Sequence, residues 1–368
     1  MVMSVHRIRV SRSRRQLAGV VAAASALLLV SSTGAAAEAR SADDAVLQVN
    51  LVSDLPGVAA LTDPHLVNPW GLAASATSPL WVSDNGTDFG TTYRGAASGN
   101  PVALGPVSVG VQDGSPTGQV FNDTTSFTLA NGQPARFIFA SENGSIDAWN
   151  GGPTAVNVAT TPGAVYKGLA LVRTSSGPLL LATNFAAGSV DVFDATFHRV
   201  PLGHRAFRDD TLPHGYAPFG VAVTGTTVFV SYALQDEAKH DDVAGAGHGF
   251  VDVYTATGHL QRHLIRRGEL NSPWGLAIAP PGFGDVAGAL LVGNFGDGRI
   301  HAYSTRTGTL RATLHRPDGS PVQIDGLWGL LPGNGTAGAP NQVWFSAGPD
   351  GEAHGLLGLL QSTDHDHH

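Results

Sequence analysis

Short apolar runs, broken by clusters of glycine, asparagine, aspartate and proline, dominate the chain from Ala45 onward. "LWVSDNG" from Leu80, "FIFASENG" from Phe137, "LLLATNF" from Leu179, "VFVSYA" from Val228, "LLVGNF" from Leu290 and "VWFSAG" from Val343 are each long enough for one buried strand. They are rich in β-branched and aromatic residues and bounded by turn formers, and no later segment sustains a helical period. Each leads to a glycine and an alternating run that ends on an aromatic. These are "GSIDAW" from Gly144, "GSVDVF" from Gly188, "GFVDVY" from Gly249 and "GRIHAY" from Gly298, with weaker forms in "GTTYR" from Gly90 and "GLLGLL" from Gly355. A period of two predicts strands with two unlike faces.

A third phrase precedes each pair: "NPWGLA" from Asn68, "YKGLAL" from Tyr166, "APFGVAV" from Ala217, "NSPWGLA" from Asn271 and "GLWGLL" from Gly326. The shared glycines, Gly71, Gly168, Gly220, Gly275 and Gly329, are spaced by 97, 52, 55 and 54 residues. One copy has therefore drifted, and "TTSFTLA" from Thr124 fills the gap with Ser126 in the glycine position. Each unit ends in a variable fourth stretch, such as "TLRATLH" from Thr309. Six such units predict an all-β fold, a six-bladed β-propeller with four-stranded blades. The strand-like "AVLQVNLVSDL" from Ala45 has no unit of its own. As the outer strand of the last blade it closes the ring and covers an open edge. Trp70, Phe219, Trp274 and Trp328, large residues at equivalent positions, read as wedges between neighbouring blades.

At 368 residues, 42% of them hydrophobic, the chain supports a large core in one domain. Its start reads differently. Arg7, Arg9, Arg12, Arg14 and Arg15, the apolar "LAGVVAAASALLLV" from Leu17, and a small-residue site ending at Ala37 or Ala39 predict an export signal over residues 1–37. "SRRQLA" from Ser13 also fits the twin-arginine route. Residues 38–361 are then the propeller domain, and 362–368 a flexible tail whose "DHDHH" reads as an incidental metal scavenger. Cleavage after Ala37 leaves 16 basic against 29 acidic residues, a net charge of −13. That acidity argues against nucleic acid and anionic membranes as partners, and no later run is long and apolar enough to span a bilayer. Without cysteine, disulfides, thiol catalysis and zinc–thiolate sites are excluded. The expected product is a secreted or extracytoplasmic monomer.

In a propeller, the loops leading into the first strands and those joining second to third strands emerge on one face. His65, Asn68, Lys167, Asn271 and Asp325 belong to the first set, and Asn85, Glu142, Asn184, Tyr232 and Asn294 to the second. These ten are the candidate ligand-binding residues at the channel mouth, for a small molecule, glycan or peptide. Several asparagines have an alternative role in capping turns. Glu142, Lys167, Tyr232 and Asp325 break the repeat and carry more information, because symmetry does not require them. Glu142 and Asp325 with the amide oxygens of Asn184 and Asn294 form a hard oxygen set suited to Ca²⁺, or a solvated rim. The fourth unit is extended: Gly220 and Gly249 lie 29 residues apart, against 19 for Gly71 to Gly90. The excess, "LQDEAKHDDVAGAGHG" from Leu234, holds Asp236, Asp241 and Asp242, a second candidate Ca²⁺ set without the spacing of an EF-hand loop. No G-x-S-x-G elbow, H-E-x-x-H motif, P-loop or dinucleotide fingerprint occurs, so no catalytic residue is assigned.

With its "NPWGLA" and "NSPWGLA" openings, strands ending in "VSDNG", "ATNF" and "VGNFGDG", and the run "QDEAKHDDVAGAGHGFVDVY", the chain resembles a family of exported bacterial proteins of unknown function, similar to NHL-type six-bladed propellers. The resemblance spans about Ala45 to Leu360 and implies fold and export, with no activity to carry over. Some members of that family end in a sorting segment, whereas this chain ends in the histidine-rich tail. More distantly the chain is similar to propeller lactonases and lyases, which hold a divalent cation on the axis with Glu, Asn and Asp. Glu142, Asn184, Asn294 and Asp325 are the nearest residue types here.

Two functions follow. One is a binding or interaction module using the mouth, favoured by the missing catalytic signature. The other is a metal-dependent hydrolase or lyase, in which a central cation polarises a carbonyl and Glu142, Asp325 or a histidine of the extended unit moves the proton.

Overall fold

The computed structural model describes residues 45–97 and 100–363. The expected export signal and the histidine-rich stretch 364–368 lie outside the described residues. Tight turns leave only short runs between them, and these form strands, with no α-helix among the described residues and no helix long and apolar enough to cross a membrane. In chain order the strands are β1 (Val46–Ser53), β2 (Leu61–Thr62), β3 (Pro69–Ala73), β4 (Leu80–Asp84), β5 (Phe89–Arg94), β6 (Ala103–Leu104), β7 (Val109–Val111), β8 (Pro116–Phe121), β9 (Phe137–Ser141), β10 (Ser145–Trp149), β11 (Thr154–Thr160), β12 (Tyr166–Thr174) and β13 (Gly177–Asn184). They continue as β14 (Ser189–Phe193), β15 (Tyr216–Thr224), β16 (Thr227–Leu234), β17 (Phe250–Thr255), β18 (Leu260–Arg266), β19 (Pro273–Ile278), β20 (Leu290–Asn294), β21 (Ile300–Tyr303), β22 (Leu310–Thr313), β23 (Leu327–Pro332), β24 (Gln342–Ala347) and β25 (Leu356–Ser362).

The architecture is all-β and propeller-like. Consecutive antiparallel neighbours build the sheets β12–β14, β15–β18 and β19–β22. Two further meanders, β3–β5 and β8–β11, are fused into one sheet, because β7 pairs antiparallel with β5 and parallel with β11. The last sheet runs β2-β1-β25-β24-β23, with Val46 opposite Ser362 and Ser53 opposite Leu356 across the β1–β25 pair. Four equal strands per unit are therefore not what forms. The β12–β14 sheet has three strands, because the loop that follows Phe193 touches the outer edge of β14 only through the bridge to Arg199.

The first strands explain the repeated glycines. β3, β8, β12, β15, β19 and β23 pack each on the next, and β23 packs on β3. A Cβ on Gly220 would lie 2.1 Å from the carbonyl oxygen of Trp274, and one on Gly329 would lie 2.6 Å from that of Trp70. Only a residue without a side chain allows that approach. The same test corrects the drifted copy: a Cβ on Gly118 would fall 2.2 Å from the backbone nitrogen of Leu169. "SPTGQVF" from Ser115 is thus the second unit's opening phrase, and Gly118, not Ser126, its glycine; Ser126 lies in the loop after β8. Buried hydroxyls fasten the joints. Thr117 Oγ1 donates to Tyr166 O at 2.8 Å, Thr183 Oγ1 to Phe219 O at 2.8 Å, Ser231 Oγ to Pro273 O at 2.6 Å and Ser346 Oγ to Trp70 O at 2.6 Å. Each such bond contributes about 1 kcal/mol.

Gly220→Ala is expected to lose about 1–3 kcal/mol by forcing two backbones apart. Gly110→Ala, whose new methyl would meet nothing closer than 3.9 Å, is expected to be neutral. Urea midpoints of the two variants check the contrast.

Candidate functional site

In four of the six units the residue before the first-strand glycine is an aromatic carried to the axis. Trp70, Phe219, Trp274 and Trp328 are not wedges between blades, as expected from the repeat, but meet one another. Trp70 and Trp328 stack at 3.5 Å, Trp274 stands edge-on to them at 5.9 and 5.7 Å, and Phe219 lies 6.0 Å from Trp328. Phe185 and Phe295 complete the layer. Close approach of the first strands leaves these rings no room between neighbours, and the axis is the space that remains.

At the same level β12 places Lys167, 1% exposed, with its ammonium 5.0 Å from the centre of the Trp70 ring. A buried ammonium needs anionic partners, and three elements supply a connected set. Lys167 Nζ donates to Glu142 Oε1 at 2.5 Å and to Asp241 Oδ1 at 3.3 Å, and His240 Nδ1 lies 2.9 Å from that same Asp241 oxygen. Glu142 Oε2 accepts from Asn85 Nδ2 at 3.1 Å. Asn85 Oδ1 accepts from Asn68 Nδ2 at 3.3 Å, and the same Asn68 nitrogen donates to Glu352 Oε2 at 2.6 Å. Trp328 Nε1 donates to Asn68 Oδ1 at 3.0 Å, tying the network to the aromatic layer below it.

Electrostatics divides these acids. Burial would raise the Asp241 carboxyl, but Lys167 and His240 outweigh it and hold the group below its usual value. Burial raises Asp242 despite the opposing Ser272 hydroxyl and Lys167, and raises Glu352 despite its bond from Asn68. The backbone is strained here too. Asn68, Ser115 and Ser272 hold φ of 46°, 45° and 48° directly before Pro69, Pro116 and Pro273, a left-handed conformation uncommon for residues with side chains.

Of the expected residues, Asn68, Asn85, Glu142, Lys167 and Asp241 come together, and Asp242 lies close enough to feel the Lys167 charge. The others do not. Asn184 donates to Asp191 Oδ2 and accepts from Ala187 N, capping its own turn, and Asn294 donates to Glu269 O. Both end second strands, opposite Tyr166 and Pro273; the residue after each, Phe185 or Phe295, turns to the axis instead, because successive side chains alternate. Tyr232 is buried with its hydroxyl 2.5 Å from that of Tyr254, Asn271 Oδ1 accepts from Gly245 N, and Asp236 Oδ1 accepts from His240 N. Asp325 is exposed and accepts from Asp350 N, while exposed His65 packs on Phe89 at 4.4 Å. The four-residue set of Glu142, Asn184, Asn294 and Asp325 is therefore not assembled. A different trio can hold a cation: ligand atoms of Glu142, His240 and Asp241 lie within 4.8 Å of one another. Lys167 contacts both of its carboxylates.

Two features were missed in the sequence. Glu352 sits in the last unit's loop between second and third strands, and its only signal is a carboxylate among turn residues. The second is the aspartate of the alternating runs, Asp147, Asp191 and Asp252, which the period-two pattern turns inward. Tyr166 and Arg199 bind Asp191, whereas Asp147 is held by Ser145 Oγ at 2.9 Å with its other oxygen unpaired among the described residues. Burial raises Asp147 to about 7 against the Ser145 bond, and burial with the Asp209 charge raises Asp252 to about 7.

No family model matches the chain. It is 33% identical over 327 residues to uncharacterized protein R648 of Acanthamoeba polyphaga mimivirus, covering 84% of this chain and 78% of that one. It is 31% identical over 328 residues to the same virus's uncharacterized protein L690, covering 84% of each. Among solved structures, a streptogramin B lyase aligns with a TM-score of 0.46 at 13% identity, over 86% of this chain and 97% of the lyase. BBS1N from its complex with ARL6DN aligns with a TM-score of 0.47 at 13% identity, over 87% and 99%.

An acid whose pKa is higher folded than unfolded binds its proton more tightly in the native state, so its contribution to stability is most favourable below about pH 4 and falls as pH rises toward 7. Asp147→Asn removes that loss. It is expected to stabilise the protein at pH 8 by on the order of 2 kcal/mol and to change little at pH 4, as read from urea unfolding at the two pH values.

Proposed function

The chain belongs to the family of the mimivirus proteins R648 and L690, and from that premise we propose that it is an exported ligand-binding module with its site at the mouth of a six-bladed propeller. The blade count is supported by the ring of six first strands, each touching the next. Export is supported by the basic and apolar start of the chain.

One observation carries the reading: Lys167, buried on the axis, is held between Glu142 and Asp241. Its ammonium stands as a built-in cation where these carboxylates would otherwise take a metal ion. What remains for a ligand is the acidic surplus, since Glu352 and Asp242 add two carboxyl groups around a single lysine. Such a mouth suits a small molecule, glycan or peptide that presents an ammonium or several hydroxyls. The second reading, a hydrolase or lyase with Ca²⁺, is favoured by the Glu142, His240 and Asp241 trio. It requires Lys167 to move aside before an ion polarises a carbonyl there.

Two measurements separate these readings. Lys167→Met is expected to cost about 1–3 kcal/mol, because it leaves facing carboxylates without their cation, and Ca²⁺ is expected to raise the melting temperature of the variant but not of the wild type. Equal Ca²⁺ stabilisation of both, or stoichiometric Ca²⁺ in the purified wild type that Glu142→Gln removes, transfers the case to the metal reading. A calorimetric panel of amino-sugar oligomers and free-amine peptides tests the binding reading. At least one should bind the wild type and weaken about 10-fold, or about 1.4 kcal/mol, in Glu352→Gln. A panel that binds neither protein, or both alike, removes it.

A further inference from the structure

Beneath the aromatic layer lies a second chamber. A cavity of about 650 Å³ is lined by residues of all six first strands, with Trp274 at its inner end and Asp123, Arg173 and Thr224 at its outer end. Trp274 is buried and the outer three are exposed, so the cavity opens on the face opposite the mouth. Asp123 and Arg173 neutralise each other there, 2.6 Å apart.

At one level of the wall the side chains are aliphatic with one exception. The residues directly after the first-strand glycines are Leu72, Leu169, Val221, Leu276 and Leu330, and the sixth is Gln119. Five aliphatic occupants show what the ring geometry accepts at this position, so packing does not call for glutamine. Gln119 is 5% exposed, and neither atom of its amide finds a partner among the described residues; the indole N–H of Trp274 is unpaired as well. Buried amides left unpaired destabilise a fold, and these lie on the walls of one cavity. Both amide atoms are shut off from solvent, so binding requires the Gln119 side chain to change rotamer and present them to the cavity.

We propose that this cavity is a binding site distinct from the mouth, for a slender neutral molecule with an aliphatic body and an amide at its tip. The body lies along the Leu, Val and Ala wall, and the tip exchanges one donated and one accepted hydrogen bond with Gln119. The volume is in the range of small-molecule sites, and an apolar pocket with few polar anchors is their usual make-up. No cationic side chain lines the inner end, so a carboxylate tip has no countercharge.

Octanamide is the probe, titrated into the full-length protein and followed by tryptophan fluorescence and thermal shift, with octanoate as the charged control. The wild type is expected to bind octanamide saturably and at least 10-fold more tightly than octanoate. Gln119→Leu installs the residue type found at four of the other five positions. It is expected to raise the ligand-free melting temperature by a few degrees, about the shift that relief of one unpaired group gives, and to weaken octanamide at least 10-fold. Ala222→Phe, a half-exposed wall position, narrows the cavity without altering Gln119 and is expected to abolish binding. The proposal is overturned if the wild type shows no saturable binding, if octanoate binds as well as octanamide, or if either variant binds octanamide as the wild type does. Glu352→Gln reports on the mouth and Gln119→Leu on the cavity, so the two proposals fail separately; a Glu352→Gln protein that loses octanamide while Gln119→Leu keeps it places the probe in the mouth and ends this one.

Discussion

Backbone contact between neighbouring first strands is the constraint on which the rest of the molecule depends. Gly220 touches the carbonyl of Trp274, and Gly329 that of Trp70, at distances that exclude any Cβ. Strands held so near one another fix where the adjacent residues must go. The side chain before the glycine is sent to the axis, the one after it lies along the wall between strands, and a serine or threonine hydroxyl from β8, β13, β16 or β24 takes up the carbonyl exposed at the joint. The last of these joints, Ser346 to Trp70, connects residues 276 positions apart in sequence. Together with the β1–β25 pairing it ties the end of the chain to its beginning.

From this constraint comes a division of the axis into two chambers. Aromatic rings from β3, β15, β19 and β23 fill it at one level. Trp328 serves both sides, since its ring stacks within the layer while its N–H holds Asn68 in the mouth. Asn68 in turn bridges toward Glu142 through Asn85 and binds Glu352 directly. The strained backbone at Asn68 has a local reason in this picture, because the left-handed turn before Pro69 aims the amide at Asn85 of its own meander and at Glu352 and Trp328 of the last sheet.

Much of the fold was legible, because repetition exposes itself in sequence whenever the repeated residue is irreplaceable. Five of the six glycines announced the ring. The sixth was hidden: Thr117 stands where four of the other units have an aromatic, so "SPTGQVF" reads as a turn. The β7–β11 pairing that fuses two sheets left no mark, since parallel neighbours of three residues carry no pattern of their own. At the site, Glu142 and Lys167 were legible as breaks in symmetry. Asn184 and Asn294 were misplaced by one residue of register, which in a strand is enough to exchange the axis for the interior. Glu352 and Asp147 were overlooked for opposite reasons: one is an unremarked acid in a turn, and the other recurs in three units and so resembles scaffold.

Lys167 shows why a single departure from the repeat matters more than the repeat. Tryptophan or phenylalanine occupies the equivalent position in four units, and a lysine there has to be desolvated in their company. Its cost is offset by a carboxylate from the sheet immediately before it, by another from the extended loop of β16–β17, and by the face of Trp70. The extended loop therefore has a structural purpose at the axis: without Asp241, the buried ammonium keeps one carboxylate partner instead of two. A cation supplied by the chain itself needs no ion from solution, and it leaves the mouth acidic around a fixed positive centre. On the proposed binding reading, an incoming group satisfies Glu352 and Asp242 without competing for the carboxylates that Lys167 already holds.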